Sequence, residues 1–186
     1  MNEKLKKKNI ISKYVGDIYP YLRPGEIGHL ISFIKICKDA KDKKYEKILI
    51  LEDDATFNTK SFKKKFLKAY KNVPNDYDIL YLGIHEFHNI KMGKPIKLNE
   101  YICKLKGITS KKHPYKKGGI YGTHAMILNQ KAINSFIKKA LPLTLASDVI
   151  MGQLENKYNL VKSYYICDQL VEQITYSTDK STTREI

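Results

Sequence analysis

The sequence predicts a layered α/β domain, a mostly parallel sheet with flanking helices. Three observations lead there. Short aliphatic runs such as Lys47-Ile48-Leu49-Ile50-Leu51 have the unbroken apolar character of strands buried on both faces. Between such runs, apolar residues recur at three- and four-residue spacing, the mark of helices with one buried face. The chain has 186 residues, 42% of them hydrophobic, enough for one real core and a length that fits a single domain.

Residues 1–9, MNEKLKKKN, read as a solvated basic arm, and residues 10–186 as the single domain. After Pro24-Gly25, residues Ile27, Leu30, Ile31, Ile34 and Cys37 form one helical face, which the lysine-rich stretch 38–44 ends. The strand at 47–51 runs directly into Glu52-Asp53-Asp54. Thr59 or Ser61 can cap a second helix, with Phe62, Phe66, Leu67 and Tyr70 facing inward. Pro74-Asn75-Asp76 breaks it, and Asp78-Ile79-Leu80-Tyr81-Leu82-Gly83 reads as another buried strand. Residues 84–119 hold two weak extended stretches and a loop rich in Lys and Gly. A strand is expected over 120–128 and a helix over 130–140, closed by Pro142. Ser147-Asp148 can cap a further helix to about Asn156, and 160–167 reads as the last strand. Beyond it no periodicity is clear. No internal repeat and no domain boundary is visible.

Net charge is +15, yet of the 34 Lys and Arg residues only Arg23 and Arg184 are arginine. Arginine supplies the planar fork that reads guanine and clamps phosphate, whereas lysine is a solvated point charge. The composition therefore points to a bias of the whole proteome and not to a dedicated nucleic-acid reader. Attraction to anionic substrates or lipid headgroups, peripheral membrane association included, stays open and would be screened by salt. No apolar run approaches the roughly 18–20 residues that span a bilayer. The charged N-terminus is not a secretory signal, so the expected location is cytoplasmic. Cys37, Cys103 and Cys167 are odd in number and widely spaced, and are expected as buried, inert thiols without a disulfide or zinc site.

Glu52-Asp53-Asp54 follows an aliphatic strand, at the carboxyl end where open α/β sheets place ligands. In extended chain Glu52 and Asp54 point to one side and can share a hard cation that bridges nucleotide phosphates. The alternative is a solvated acidic turn. Gly118-Gly119-Ile120-Tyr121-Gly122-Thr123-His124-Ala125 brings glycines that let backbone approach a ligand, or else is a plain turn entering a strand. It lacks the G-K-[ST] ending of a phosphate-binding P-loop. Asp148 in a first helical turn is ordinarily structural. His85 and His88 read as loop histidines, since no acid is spaced to complete a metal site.

In order, these blocks resemble glycosyltransferase family 25, which includes the lipooligosaccharide and collagen galactosyltransferases. Pro24-Gly25-Glu26-Ile27-Gly28 with Leu30-Ile31-Ser32 is similar to the family's P-G-E-I-G-C-x-L-S-H. Leu49-Ile50-Leu51-Glu52-Asp53-Asp54-Ala55 resembles L-I-L-E-D-D-A, and 78–83 matches the following strand. Gly122-Thr123-His124-Ala125 is similar to G-T-x-A, and Leu170-Val171 to Gln173 with Ser177 and Asp179 to the C-terminal L-V-x-Q…S-D-I. The resemblance implies a GT-A-like, Rossmann-type nucleotide-diphospho-sugar transferase fold. It further implies an inverting transferase that moves a hexose, galactose or glucose, from a UDP-sugar to a glycan or hydroxylated protein acceptor. By the same resemblance Glu52 and Asp54 would hold Mn²⁺ or Mg²⁺ against the donor diphosphate. Asp148 would be the base on the acceptor hydroxyl, while Asp53, Gly122, Thr123, His124 and Gln173 would line the substrate pocket. The sequence departs from the family at His29, where the motif has Cys, and at Phe33, where it has His. It also has only 24 residues up to that block, where members carry some forty or more, a shortened N-terminus. A sheet lacking its first strand would expose an edge and favour a homodimer. The competing class is a non-catalytic carbohydrate- or nucleotide-binding remnant of the fold.

Overall fold

The computed structural model describes residues 22–58, 60–84, 95–105 and 122–174. Helix α1 (Pro24–Asp42) opens on a proline, and Glu26 in its first turn accepts a hydrogen bond from the Arg23 backbone N–H at 2.8 Å. Strand β1 (Lys47–Leu51), strand β2 (Ala55–Phe57) and helix α2 (Phe62–Lys71) follow. Next come β3 (Ile79–Tyr81), β4 (Pro95–Lys97), β5 (Ile102–Leu105) and β6 (Ala125–Asn129). Helices α3 (Gln130–Ala140) and α4 (Ser147–Asn156), then β7 (Ser163–Ile166) and β8 (Val171–Gln173), complete the described elements. Both later helices fall in the ranges the sequence predicts, α3 over 130–140 and α4 from Ser147-Asp148 to Asn156.

Six strands form one sheet in the order β1-β6-β3-β7-β5-β4, and β2 pairs with β8 in a separate ribbon. The sheet is mixed, not mostly parallel: among the described residues β3 and β7 are the single parallel pair, and the other four pairs are antiparallel. Strands β1, β3 and β7 do run in one direction, as strand–helix alternation predicts. The reading fails because β6 inserts antiparallel between β1 and β3, and β5 antiparallel beyond β7. Nothing in the composition of an aliphatic run records its direction. A GT-A-like arrangement is compatible with this topology.

The expectation that 47–51 is buried on both faces is also corrected. Ile50 is buried, but Leu49 and Leu51 are 52% and 43% exposed. Among the described residues β1 is the edge of the sheet and α2 covers its outer face only in part. Strands β2 and β8, three residues each, were invisible in the sequence. Asp78 anchors the start of β3: its buried carboxylate accepts hydrogen bonds from Asn129 Nδ2 at 2.9 Å, Lys131 Nζ at 3.0 Å and the Lys162 N–H at 2.9 Å.

The core has two layers, one on each sheet face. On one side Leu30, Phe33, Cys37, Ile133, Phe136 and Met151 of α1, α3 and α4 pack over Ile79, Tyr81, Met126 and Leu128. On the other, Ala69 and the aromatic stripe Phe62, Phe66 and Tyr70 of α2 pack over Leu80, Leu82, Ile127 and Tyr164. Alternate residues of each strand thus serve opposite layers.

Cys103 and Cys167 form a disulfide, contrary to the expectation of inert thiols. Pairing of β5 with β7 puts Cys103 opposite Tyr165, two residues before Cys167, a proximity that a 64-residue separation hides. Cys37 alone is free; it is buried, and burial pushes its thiol up to about 12. No helix among the described residues is long and apolar enough to cross a membrane. The expected basic arm, His85 and His88, Gly118 to Tyr121, Ser177 and Asp179 lie outside the described residues.

Candidate active site

Because β1 and β6 are antiparallel, the end of β1 meets the start of β6, and the Glu52 N–H donates to the His124 carbonyl at 2.9 Å. Glu52 to Ala55 is not extended, as the shared-cation argument assumed: the Ala55 N–H closes a turn onto the Glu52 carbonyl at 3.1 Å. The first turns of α1 and α4 converge on the same place. Together they enclose a cavity of about 400 Å³ lined by, among others, Glu26, His29, Glu52, Thr123, Asp148 and Gln173. That volume is in the usual range for small-molecule sites.

A chain of polar contacts crosses the cavity wall. Thr123 Oγ1 donates to Glu52 Oε1 at 2.5 Å, and the same oxygen lies 3.0 Å from His29 Nε2. His29 Nδ1 lies 2.8 Å from Ser147 Oγ. Ser147, expected as a helix cap, is instead the first residue of α4; Ala146 holds the cap position and the hydroxyl turns to His29. The hydrogen bond to Glu52 holds the His29 imidazole above its ordinary value, against the opposing effect of burial. Burial pushes Glu52 up, but the hydrogen bonds from His29 and Thr123 outweigh it and leave the carboxyl below its ordinary range. Asp148 goes the other way. Burial raises it, opposed by the Val149 N–H at 2.7 Å and by the charge of His29.

The turn 52–54 places its acids differently. Glu52 faces the cavity; Asp53 is exposed and away from it. Asp54 sits behind Gln173, whose Nε2 donates to Oδ2 at 2.5 Å, and Oδ1 is shielded from solvent with no hydrogen-bond partner. Among the described residues no three His, Cys, Asp or Glu side chains cluster as a ready metal site. That orphaned carboxylate oxygen is a hard donor of the kind divalent ions take.

Of the residues expected in the pocket, Glu52, Gly122, Thr123, Asp148 and Gln173 meet there. His124 does not: it is 1% exposed, with Nε2 3.3 Å from the Val171 carbonyl. Sequence reasoning missed Glu26 and Ser147 as wall residues and saw His29 only as a departure from a motif. Phe33, the other departure, belongs to the core, its ring 4.7 Å from that of Phe136.

Among curated proteins, human procollagen galactosyltransferase 2 is 37% identical over 65 residues and its mouse counterpart 34% over 65 residues. Each match covers 33% of this chain, and the chain spans only 10% of the length of either relative. Among solved structures, A197 from STIV aligns over 83% of this chain and 70% of that one, at 12% identity and a TM-score of 0.45. The model of glycosyltransferase family 25 (LPS biosynthesis protein) matches residues 2–151, a span that includes α1, the acidic turn, β6 and the first turn of α4. With that match across most of its length and most of its cavity wall, the chain belongs to glycosyltransferase family 25.

Proposed function

We propose that the chain is an inverting glycosyltransferase that moves a hexose, galactose or glucose, from a UDP-sugar to a hydroxyl of a glycan or hydroxylated protein. The observation that supports this most is the cavity itself. It draws residues from five separate blocks of sequence into one volume and sets two helix N-termini at its mouth. Helix N-termini favour anionic ligands, and a nucleoside diphosphate is one.

Glu26, Glu52 and Asp148 also line the cavity, faced by one imidazole, so a diphosphate needs a counter-charge there. Asp54, with Glu52 beside it, is the carboxylate that would hold Mn²⁺ or Mg²⁺. When bound, such an ion stabilises charge developing on the leaving diphosphate. The chain's own residues supply the rest. Asp148 accepts the proton of the acceptor hydroxyl as its oxygen bonds to the anomeric carbon. The bond from that carbon to the phosphate oxygen breaks, and UDP leaves with the electron pair. Inversion follows from attack opposite the leaving group. Thr123 and His29 fix the Glu52 carboxylate, and Gln173 fixes that of Asp54, so neither must reorganise when substrate arrives.

The test is UDP release from a panel of UDP-sugars, with Mn²⁺ and with EDTA. Metal-dependent release from one sugar is expected, reduced at least about a hundredfold in both Asp54→Asn and Glu52→Gln while the fold survives. Full turnover in either variant would remove that residue from the metal role. A binding module without chemistry draws support from Glu52, whose Oε1 is already engaged by two neighbours. It would be favoured by a UDP-dependent thermal shift with no release from any sugar.

A further inference from the structure

We propose that the outer face of α2 docks the protein onto an anionic lipid bilayer. The helix Phe62–Lys71 reads FKKKFLKAYK, five lysines in ten residues and no acid. Its inner face, Phe62, Phe66, Ala69 and Tyr70, is spent on the core. At 100° per residue the opposite arc carries Lys63, Leu67 and Lys71 on one ridge and Lys64 and Lys68 on the next. All five are exposed, and Leu67 is 46% exposed in the midst of the lysines. Only Lys65, at the flank, has an acidic partner among the described residues, Asp168 at 3.7 Å.

An apolar side chain ringed by lysines on a convex helix face matches one kind of partner. The lysines meet lipid phosphates while Leu67 enters the headgroup boundary. Phe57 extends the patch: it is 50% exposed and its ring lies 4.6 Å from that of Phe62. A convex face without arginine offers no fork for bases and no groove for a nucleic-acid strand. The patch is also tied to the cavity. Phe57 ends the β2–β8 ribbon whose other end pairs Ala55 with Gln173, about 7 Å away at roughly 3.3 Å per residue. A bilayer under α2 would therefore hold the cavity near the lipid surface.

The experiment is sedimentation of the full chain with phosphatidylcholine vesicles, with and without phosphatidylserine, at physiological salt. Binding is expected only with the anionic lipid. Lys64→Gln/Lys68→Gln/Lys71→Gln should weaken it roughly a hundredfold, at about fivefold per lysine. Leu67→Ser should weaken it about threefold or more while net charge is unchanged. The control is Lys35→Gln/Lys38→Gln/Lys41→Gln on α1, three exposed lysines against the opposite sheet face, which should change binding less than about threefold. Equal losses in both triple variants would mean diffuse attraction of a basic chain and would overturn the proposal, as would full binding by the α2 variant. Tighter, α2-dependent binding to an RNA oligonucleotide than to the vesicles would overturn it as well. All variants are surface changes, and a thermal melt verifies that each is folded.

Discussion

Burial pushes both the Asp148 and Glu52 carboxyls up, and only at Glu52 do hydrogen bonds, from His29 and Thr123, reverse it. Burial raises the Asp148 carboxyl above its ordinary 3.8, which in the proposed transfer would make it a stronger base that must still be ionised to act. The acid limb of kcat/KM should therefore fall through a value above the ordinary carboxylate range. Asp148→Asn should lower kcat by about 10²- to 10⁴-fold. It should not lower the melting temperature, because Asn keeps an acceptor for the Val149 N–H and removes a buried charge. A parallel loss of stability would make Asp148 structural. Glu52 and His29 instead hold each other charged. The imidazolium contribution to stability is complete below 6.5 and is lost as pH rises through its raised folded value. The carboxylate contribution is complete above 4.5 and is lost as pH falls through its depressed folded value. Unfolding followed across pH should thus find this pair most stabilising between 4.5 and 6.5, and Glu52→Gln should flatten both limbs. At this scale the place of Glu52 on the cavity wall was legible, because it follows an aliphatic run at a strand's carboxyl end, where open α/β sheets place ligands, whereas Asp53 beside it is a solvated turn residue. The place of His124 was not legible. Once Thr123 faces Glu52, strand alternation sends the next side chain to the opposite side, against β8.

Among elements, the short ribbon β2–β8 matters more than its length implies, since it brings Gln173 to Asp54 and crosses the end of β3. The crossing is close. The Val171 N–H donates to the Leu82 carbonyl at 3.3 Å, and a Cβ on Gly83 would lie 1.8 Å from the Val171 carbonyl oxygen and 2.6 Å from His124 Nε2. The first obstacle is backbone and cannot swing away. Gly83→Ala should cost roughly 3 kcal/mol, the upper end of overpacking effects, in denaturant unfolding. On the proposed function it should also weaken UDP binding more than it lowers kcat, because the ribbon moves and α4 does not. A variant as stable as the parent would show that the crossing has slack. Helices α1, α2 and α3 were readable from their apolar spacing, and α4, buried on several sides, matches the range expected from the polar pair Ser147-Asp148 at its start. The ribbon was not readable, since three-residue strands leave no periodicity. Strand direction was not readable either, since aliphatic runs look the same both ways. The pairing that decides it joins residues far apart, as Leu51 and Ala125 are.

The molecule as a whole is fastened across its sheet by Cys103–Cys167, which encloses β6, α3, α4 and β7 and with them Thr123, Ser147 and Asp148. Closing a loop of 64 residues removes conformational freedom from the unfolded chain. The chain-entropy model puts the stabilisation at about 4 kcal/mol, with typical measured values of about 2–4. Against a usual total of roughly 5–15 kcal/mol for a domain, that is a large share. In a cytoplasmic compartment, where thiols are kept reduced, the chain would lack it. Denaturant unfolding with and without dithiothreitol should therefore differ by about 3 kcal/mol. Thiol counting checks the premise separately. Without reductant the native protein should react negligibly, since Cys37 is buried with its thiol pushed to about 12. The denatured, unreduced chain should react at one position, and the reduced chain at three. Three reactive thiols in denaturant without reductant would remove the fastening and leave β5 and β7 joined by backbone pairing alone. Cleft binding should then be insensitive to reductant, whereas with the disulfide present reduction should loosen the turn after β7 and weaken UDP binding together with stability.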